Sequence, residues 1–180
     1  MKPFLDAIAA SLRNYFPMLD TIVYPARIDE EGRVLVQSSE KQNEFVYAGI
    51  KDNHENYAYI RHRDSGEIIH TEMQTGKMMT CSQTKMVSKY ELRVVVCLKN
   101  WCPYNTEDTI RKALITAQLP NIDDNWPPKQ WIRNANAIPK RSVIDSIAVL
   151  REESPKPKQF NKNLIFVAVD FDLTLEINYF

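Results

Sequence analysis

The first apolar pattern along the chain has helical spacing. Over residues 4–16, seven apolar or aromatic residues fall on one side of a helix: Phe4, Leu5, Ile8, Ala9, Leu12, Tyr15 and Phe16. The polar residues of this segment fall elsewhere, and Pro17 follows it. The pattern therefore predicts an amphipathic helix of about three turns that stops near this proline.

A second helical pattern covers residues 105–119. Its apolar stripe consists of Ile110, Ala113, Leu114 and Ala117. Asn105 or Thr106 can cap the N-terminus, where the acidic Glu107 and Asp108 would favour the helix dipole. Pro120 would end this helix.

Two segments alternate as strands do. Residues 85–99 place Tyr90, Leu92, Val94, Val96 and Leu98 on one face, while the other face turns from polar to apolar. Residues 164–180 alternate almost perfectly, so one face should join the core and the other should meet water or a partner.

The other segments predict shorter strands and long connections. They are strands over 21–24, 33–37 and 45–50, a hairpin of 56–63 with 67–72, a loop over 73–84, an irregular segment over 120–141, a strand or helical turn over 142–151, and an extended loop over 152–163. Together the elements predict one α+β domain over residues 1–180. We expect a mostly antiparallel β-sheet with two helices packed on one face and long projecting loops.

Composition narrows the function classes. The 180 residues contain 23 Lys and Arg against 23 Asp and Glu, so the formal net charge of zero argues against a protein that grips nucleic acid over its whole surface. Only 4 glycines stand against 10 prolines, and no glycine-rich phosphate-binding motif occurs. Three cysteines without a CxxC motif suggest a reducing compartment. No signal peptide or membrane span is predicted, so we expect a soluble protein made in a cytoplasm.

Two chemical motifs compete with a purely structural interpretation. Asp170 to Thr174 match the DxDxT signature of haloacid-dehalogenase-type phosphatases, which needs both carboxylates on a loop past a strand. Here the strand alternation runs straight through the motif, so a chance match is favoured. His54, His62 and His70 recur every eight residues, and two of them, His62 and His70, could in principle hold zinc together with Cys81, but no fourth ligand has a recognisable spacing. Cys97 and Cys102 have no histidine near in sequence, so neither is a candidate nucleophile. We therefore predict no catalytic, cofactor-binding or metal-binding residues and no enzyme activity.

The order of elements resembles that of a bacteriophage family, the tail-terminator and head–tail connector (neck ring) proteins. The stretches that carry the resemblance are 90–99 (YELRVVVCLK), 105–119 (NTEDTIRKALITAQL), 146–153 (SIAVLREE) and 163–177 (NLIFVAVDFDLTLEI). The resemblance covers about half of the chain and lies in element order and texture. It implies a virion protein without catalytic residues or cofactors, which forms a ring between portal and tail through which DNA passes.

On this interpretation the polar strand face and the long connections meet other subunits or adjacent portal, connector or tail proteins. Nine residues are the candidates for subunit contacts: Trp126, Trp131, Arg133, Lys156, Lys158, Phe160, Lys162, Asp170 and Asp172. Contact with DNA in the channel would be loose and non-specific, and no membrane is involved. A small cytoplasmic bacterial ligand-binding or regulatory module, with a pocket near Tyr57, Tyr59 and helix 105–119, is the alternative.

Overall fold

One large sheet organises the chain. A computed structural model describes residues 1–38, 44–50, 55–63, 70–78, 81–124, 130–154 and 163–179. Within these ranges it has three helices and nine strands: α1 (Lys2–Tyr15), β1 (Thr21–Ile28), β2 (Val34–Gln37), β3 (Phe45–Tyr47), β4 (Tyr57–His62), β5 (His70–Met78), β6 (Cys81–Lys99), α2 (Pro103–Ile115), β7 (Ile122–Asp124), β8 (Gln130–Val143), α3 (Ser146–Glu153) and β9 (Leu164–Tyr179).

The strand order is β3-β2-β1-β4-β6-β9-β8-β7, and β5 pairs with β6 off this path. Every pairing is antiparallel except that of β1 with β4. Strand β9 pairs along one edge of β6, and two strands share its other edge. On that edge, β4 pairs with residues 92–97 of β6 and β5 pairs with residues 81–89 of β6. The predicted α+β class with a mostly antiparallel sheet is confirmed.

Helices α1 and α2 pack side by side on one face of the sheet. Phe4, Ile8 and Leu12 of α1 are buried against the same core as Ile110 and Leu114 of α2. The Ser11 hydroxyl donates a hydrogen bond to the Ala113 carbonyl at 2.7 Å, which ties the two helices together. The apolar stripes of both helices were predicted from the sequence, and they are confirmed except at two positions: Tyr15 is 38% exposed, and Ala117 lies beyond the end of α2.

The predicted ends of α2 are wrong. The N-cap is Cys102, whose backbone is extended, and Pro103 begins the helix, a position where its missing N–H is no loss. Asn105 and Thr106 therefore lie inside the first turn. The helix ends at Ile115, before the predicted 119, and Thr116 is its C-cap.

A third helix lies on the opposite face. Val149 of α3 packs with Val95, Cys97 and Phe166 of the sheet. These residues alternate along β6 and β9 with the residues that lie under α1 and α2. Because successive residues of a strand point to opposite faces, α3 lies on the other side of the sheet. Asp145 caps α3 by accepting a hydrogen bond from the Ile147 amide at 2.9 Å. Within residues 142–151 the predicted strand is therefore wrong beyond Val143, and the helical alternative is the one observed.

Three polar segments were predicted incorrectly. Residues 73–84 are mostly strand, in β5 and the start of β6, where a loop was expected. Residues 120–141 contain β7 and most of β8 despite their prolines. The predicted hairpin of 56–63 with 67–72 does not form, since β4 pairs with β1 and β6; residues 64–69 lie outside the described residues.

Candidate functional site

A group of charged side chains lies on the face of the sheet that carries α3, beside the end of that helix. Along β6 and β9 this face changes from apolar, at Val95 and Ala168, to charged, at the cross-strand pair Arg93 and Asp170. We name the whole group the arginine–carboxylate cluster. Its members are Arg61, Arg63, Lys89, Arg93, Lys140, Arg141, Glu152, Glu153, Asp170 and Asp172.

Arg93 is the centre of this cluster. It makes a two-pronged pair with Asp170, in which Nε donates to Oδ1 at 2.5 Å and Nη2 donates to Oδ2 at 3.1 Å. It also donates to Glu153 at 2.9 Å and to Glu152 at 2.8 Å. Burial alone would lower the pKa of Arg93, but these hydrogen bonds outweigh it and raise the pKa. One buried guanidinium thus joins α3 to the two central strands.

Glu153, the last residue of α3, is the most enclosed carboxylate on the helix side. Arg61 of β4 donates to it twice, from Nε and Nη2, both at 2.8 Å, and the Tyr59 hydroxyl donates at 3.0 Å. Burial pushes the pKa of Glu153 upward, yet the hydrogen bonds and charge of Arg61 and Arg93 bring it below its usual value. Glu153 is therefore ionised at neutral pH although it is buried.

Asp172 forms the second centre, one step further along β9. Lys89 of β6 lies 2.8 Å from its Oδ2 and Lys140 of β8 lies 2.6 Å away. Burial raises the pKa of Asp172, and the two lysines more than reverse that effect, so its pKa is lowered. These pairs connect three adjacent strands on one face.

The cluster carries a small surplus of positive charge. Its six cations and four carboxylates differ by two charges, and Glu91, which lies on the same face of β6 and acts on Lys89, reduces the surplus to one. Arg63, Lys140, Arg141 and the carboxylate of Glu152 reach solvent, whereas Asp170 and Asp172 are only 3% and 5% exposed. The carboxylates are held in place by fixed cations, an arrangement suited to binding one element to another rather than to proton transfer.

The DxDxT match lies wholly within β9. Asp170 and Asp172 pair with Arg93 and Glu91 in register, and the strand continues to Tyr179, as the alternation predicted. Neither carboxylate lies on a loop beyond a strand end. The chance match favoured from the sequence agrees with this placement.

The predicted contact residues are distributed unevenly. Trp126, Lys156, Lys158, Phe160 and Lys162 lie outside the described residues. Trp131 and Arg133 lie on β8, where Trp131 opposes Asn178 and Arg133 falls at a register shift. Their roles as subunit contacts stay predictions.

Asp170 and Asp172 were expected on a strand face open to water or to a partner. That expectation of exposure is wrong at these two positions, because α3 and the cations of β6 and β8 cover them. Sequence reasoning missed Arg61, Arg93 and the Glu152–Glu153 pair. The available signal was Arg93, a charged residue just before the apolar run of β6.

The candidate metal and thiol residues do not form one site among the described side chains. His54 lies outside the described residues, and only the backbone is described for His70 and Cys81. His62 is partly buried on β4, and burial, the larger cause, and the charge of Arg27 lower its pKa. Burial raises the pKa of the Cys97 thiol to about 12, whereas Cys102 is exposed at the start of α2. Among the described side chains, no three His, Cys, Asp or Glu groups are placed to hold a metal ion.

A groove runs between α2 and β8 on the opposite face of the sheet. Its volume is about 470 Å³, and its lining is mostly apolar, with Leu114, Ile115 and Leu119 on one side and Ala135 to Pro139 on the other. Ile115 is 68% exposed. Tyr57 and Tyr59 pack beneath α3 on the other face, so a pocket that combines them with α2 does not form.

Comparison with known proteins adds no relative. No family model matches the sequence, and no curated protein gives a significant match. None of the described helices combines the length and the apolar character that crossing a membrane requires.

Proposed function

We propose that the chain is a structural virion protein of a tailed bacteriophage, a connector or tail-terminator subunit that forms a homo-oligomeric ring at the neck or tail. It would be made in the bacterial cytoplasm, act without catalysis or cofactor, and contact adjacent portal, connector or tail proteins. DNA would pass through the ring with loose, non-specific contacts. The proposal rests first on the resemblance in element order described above.

The observation that supports it most is the architecture of the sheet. The resemblance implies a helix packed on an antiparallel sheet, and α2 packs on a sheet in which the long strands β6 and β9 pair antiparallel over residues 164–179. Among the described strands, β5 has one edge without a strand partner, and β8 beyond its pairing with β7 has another. Such edges suit head-to-tail assembly, in which two different surfaces of each subunit meet and the rotation closes a ring.

The arginine–carboxylate cluster supports a mechanical role. It joins α3, β4, β6, β8 and β9 through charge-assisted hydrogen bonds on one face of the sheet. A subunit that transmits load between rings needs elements that do not slide past one another. Fixed ion pairs with defined geometry supply that rigidity.

The test is the oligomeric state of the full chain. Light scattering after size-exclusion chromatography and negative-stain micrographs should show a closed ring of several 20.9 kDa subunits, alone or with candidate neck and tail proteins. A compact monomer under all these conditions would overturn the proposal. Trp131→Ala and the charge reversals Lys156→Glu and Lys158→Glu should weaken the ring. Lys2→Glu, an equal charge change at an exposed residue of α1, should leave it intact.

The groove beside α2 favours one alternative, the small ligand-binding or regulatory module. Its volume of about 470 Å³ falls within the range of small-molecule sites, and its lining is mainly apolar. A thermal-shift screen with metabolites decides this alternative: a ligand that raises Tm in the parent but not in Ala137→Leu, which would fill the groove, supports it. No shift with any compound counts against it.

A further inference from the structure

Helix α3 is fastened across the sheet at both ends. At its start, the Ser146 hydroxyl accepts a hydrogen bond from the Phe166 amide at 2.9 Å. At its end, Ser154 donates to the Glu30 carbonyl at 3.3 Å, and Glu153 pairs with Arg61 and Arg93. Between these ends only Val149 is fully buried among the eight residues of the helix.

The apolar part of this contact is small. Ala148 and Leu150 are only partly buried, and Ile147 is 49% exposed. Complete burial of one valine offsets the conformational entropy lost in ordering only a few of the eight residues of the helix. The helix itself therefore contributes little buried apolar surface, although it also helps to cover Val95, Cys97 and Phe166 of the sheet, and its carboxylates add a second set of contacts.

The groups that face these carboxylates come from every strand beneath the helix. They are Tyr59 and Arg61 of β4, Arg93 of β6, Arg141 of β8 and Asp170 of β9, with Arg63 next to Asp170. Glu30, in the turn between β1 and β2, contributes its backbone carbonyl. Glu152 bridges Arg93 and Arg141 at 2.8 and 2.7 Å. Three arginines thus form a socket for two adjacent glutamates.

We propose that α3 is a charge-latched strap, which leaves the sheet when Glu152 and Glu153 lose their negative charge while the sheet and the α1–α2 layer stay folded. Neutral glutamates would leave Arg61 and Arg141 without their carboxylate partners, and Arg93 with Asp170 alone. Arg93 would then be satisfied by its pair within the sheet. The sheet face therefore keeps a stable charge arrangement without the helix, and this makes local release, not global unfolding, the expected response.

The strap is independent of ring formation. Acidification is the change in conditions that would neutralise both glutamates, whose pKa values are lowered in the folded chain. Burial acts in the opposite direction on both, and the arginines prevail. The latch is accordingly closed at neutral pH and opens as pH falls through the lowered pKa values.

Hydrogen exchange of the full chain, followed by mass spectrometry of peptides, tests the strap. In Glu153→Gln at neutral pH, amides of residues 146–153 should lose protection by about 100-fold, near the lower cost of breaking a buried ion pair. Amides of residues 164–175 should keep their protection. Glu107→Gln, which removes a carboxylate paired with Arg111 on α2, is the matched control and should leave α3 protected.

Two outcomes would overturn the proposal. The first is equal loss of protection in α3 and β9, which would mean that the helix and sheet unfold together. The second is an α3 that stays as protected in Glu153→Gln at neutral pH as it is in the parent protein. If Glu153→Gln fails to fold, Glu152→Gln at neutral pH decides between the same outcomes.

Discussion

Replacing Arg93 by methionine is the sharpest test of the arginine–carboxylate cluster. Methionine keeps most of the length of the side chain and removes its charge and all its hydrogen bonds. Glu153 would keep Arg61, and Glu152 would keep Arg141. Asp170 would keep only Arg63, at 3.5 Å, although its side chain is almost fully buried.

The size of the effect follows from this imbalance. Removing one partner of a buried ion pair costs about 3–5 kcal/mol, because the remaining charge stays buried without compensation. Total stabilities of domains are about 5–15 kcal/mol, so Arg93→Met should remove a large part of the free energy of unfolding. At about 2–4 °C per kcal/mol for a chain of this size, Tm should fall by roughly 6–20 °C.

Urea unfolding followed by far-UV circular dichroism measures this loss. Arg93→Met with Asp170→Leu should recover at least about 1 kcal/mol relative to Arg93→Met, since no charge is then stranded at that pair. Arg33→Met is the control, because Arg33 pairs with Asp29 at 2.6 Å on an exposed turn, and its urea midpoint should match the parent's. A loss below about 1 kcal/mol in Arg93→Met would refute the reasoning, since the cluster would then behave like surface ion pairs.

Three further changes test other parts of the structure. The free energy of unfolding should be constant near neutral pH and should decrease below about pH 4.5. The pKa values of Glu152, Glu153 and Asp172 are lower in the folded chain than in the unfolded chain, so their contribution to stability is lost as these groups become protonated. Urea titrations at several pH values measure this, and an increase in stability on acidification would contradict it. Gly32→Ala should lower Tm more than Gly49→Ala. Both glycines have a positive φ, which costs an alanine about 1–2 kcal/mol, but only at Gly32 would the new Cβ lie 3.1 Å from Cβ of Ser154. Equal decreases in Tm would show that this contact relaxes freely. Leu114→Ala should lower the free energy of unfolding by about 2–5 kcal/mol, because it leaves a cavity under α2. Ile115→Ala, at the exposed neighbouring residue, should change the urea midpoint little. Similar losses of stability in the two variants would contradict their different burial.

The parts of the fold that could be predicted are those with strong local periodicity. Residues 4–16, 85–99 and 164–180 correspond to α1, most of β6 and β9, because each buries a regular apolar face. Strands β5 and β8 were missed because their segments are polar or rich in proline, and they form by pairing with β6 and β9. Tertiary pairing outweighs local propensity in such strands.

The cluster could not be predicted for a different reason. Arg93 and Asp170 are 77 residues apart, and they meet only because β6 and β9 pair in one particular register. A shift by one residue would turn one of the two side chains to the opposite face. Glu153 required in addition that 146–153 form a helix, whereas the sequence pattern favoured a strand over 142–151 and an extended loop from 152, which is wrong at Glu152 and Glu153. Alternation alone identified a polar strand face, but not the arginines and the helix that cover it.

The position of β9 between β6 and β8 has a consequence for the order of folding. Every other described element precedes β9 in the chain, yet β6 and β8 have no pairing with each other and become joined only through it. During synthesis β6 and β8 emerge first, and each exposes an unsatisfied backbone edge until β9 inserts between them. Closing that gap requires contacts distant in sequence, which fold slowly. The nascent chain is thus most prone to mispairing and aggregation just before this insertion, and a ribosome-associated chaperone would have most effect at that stage.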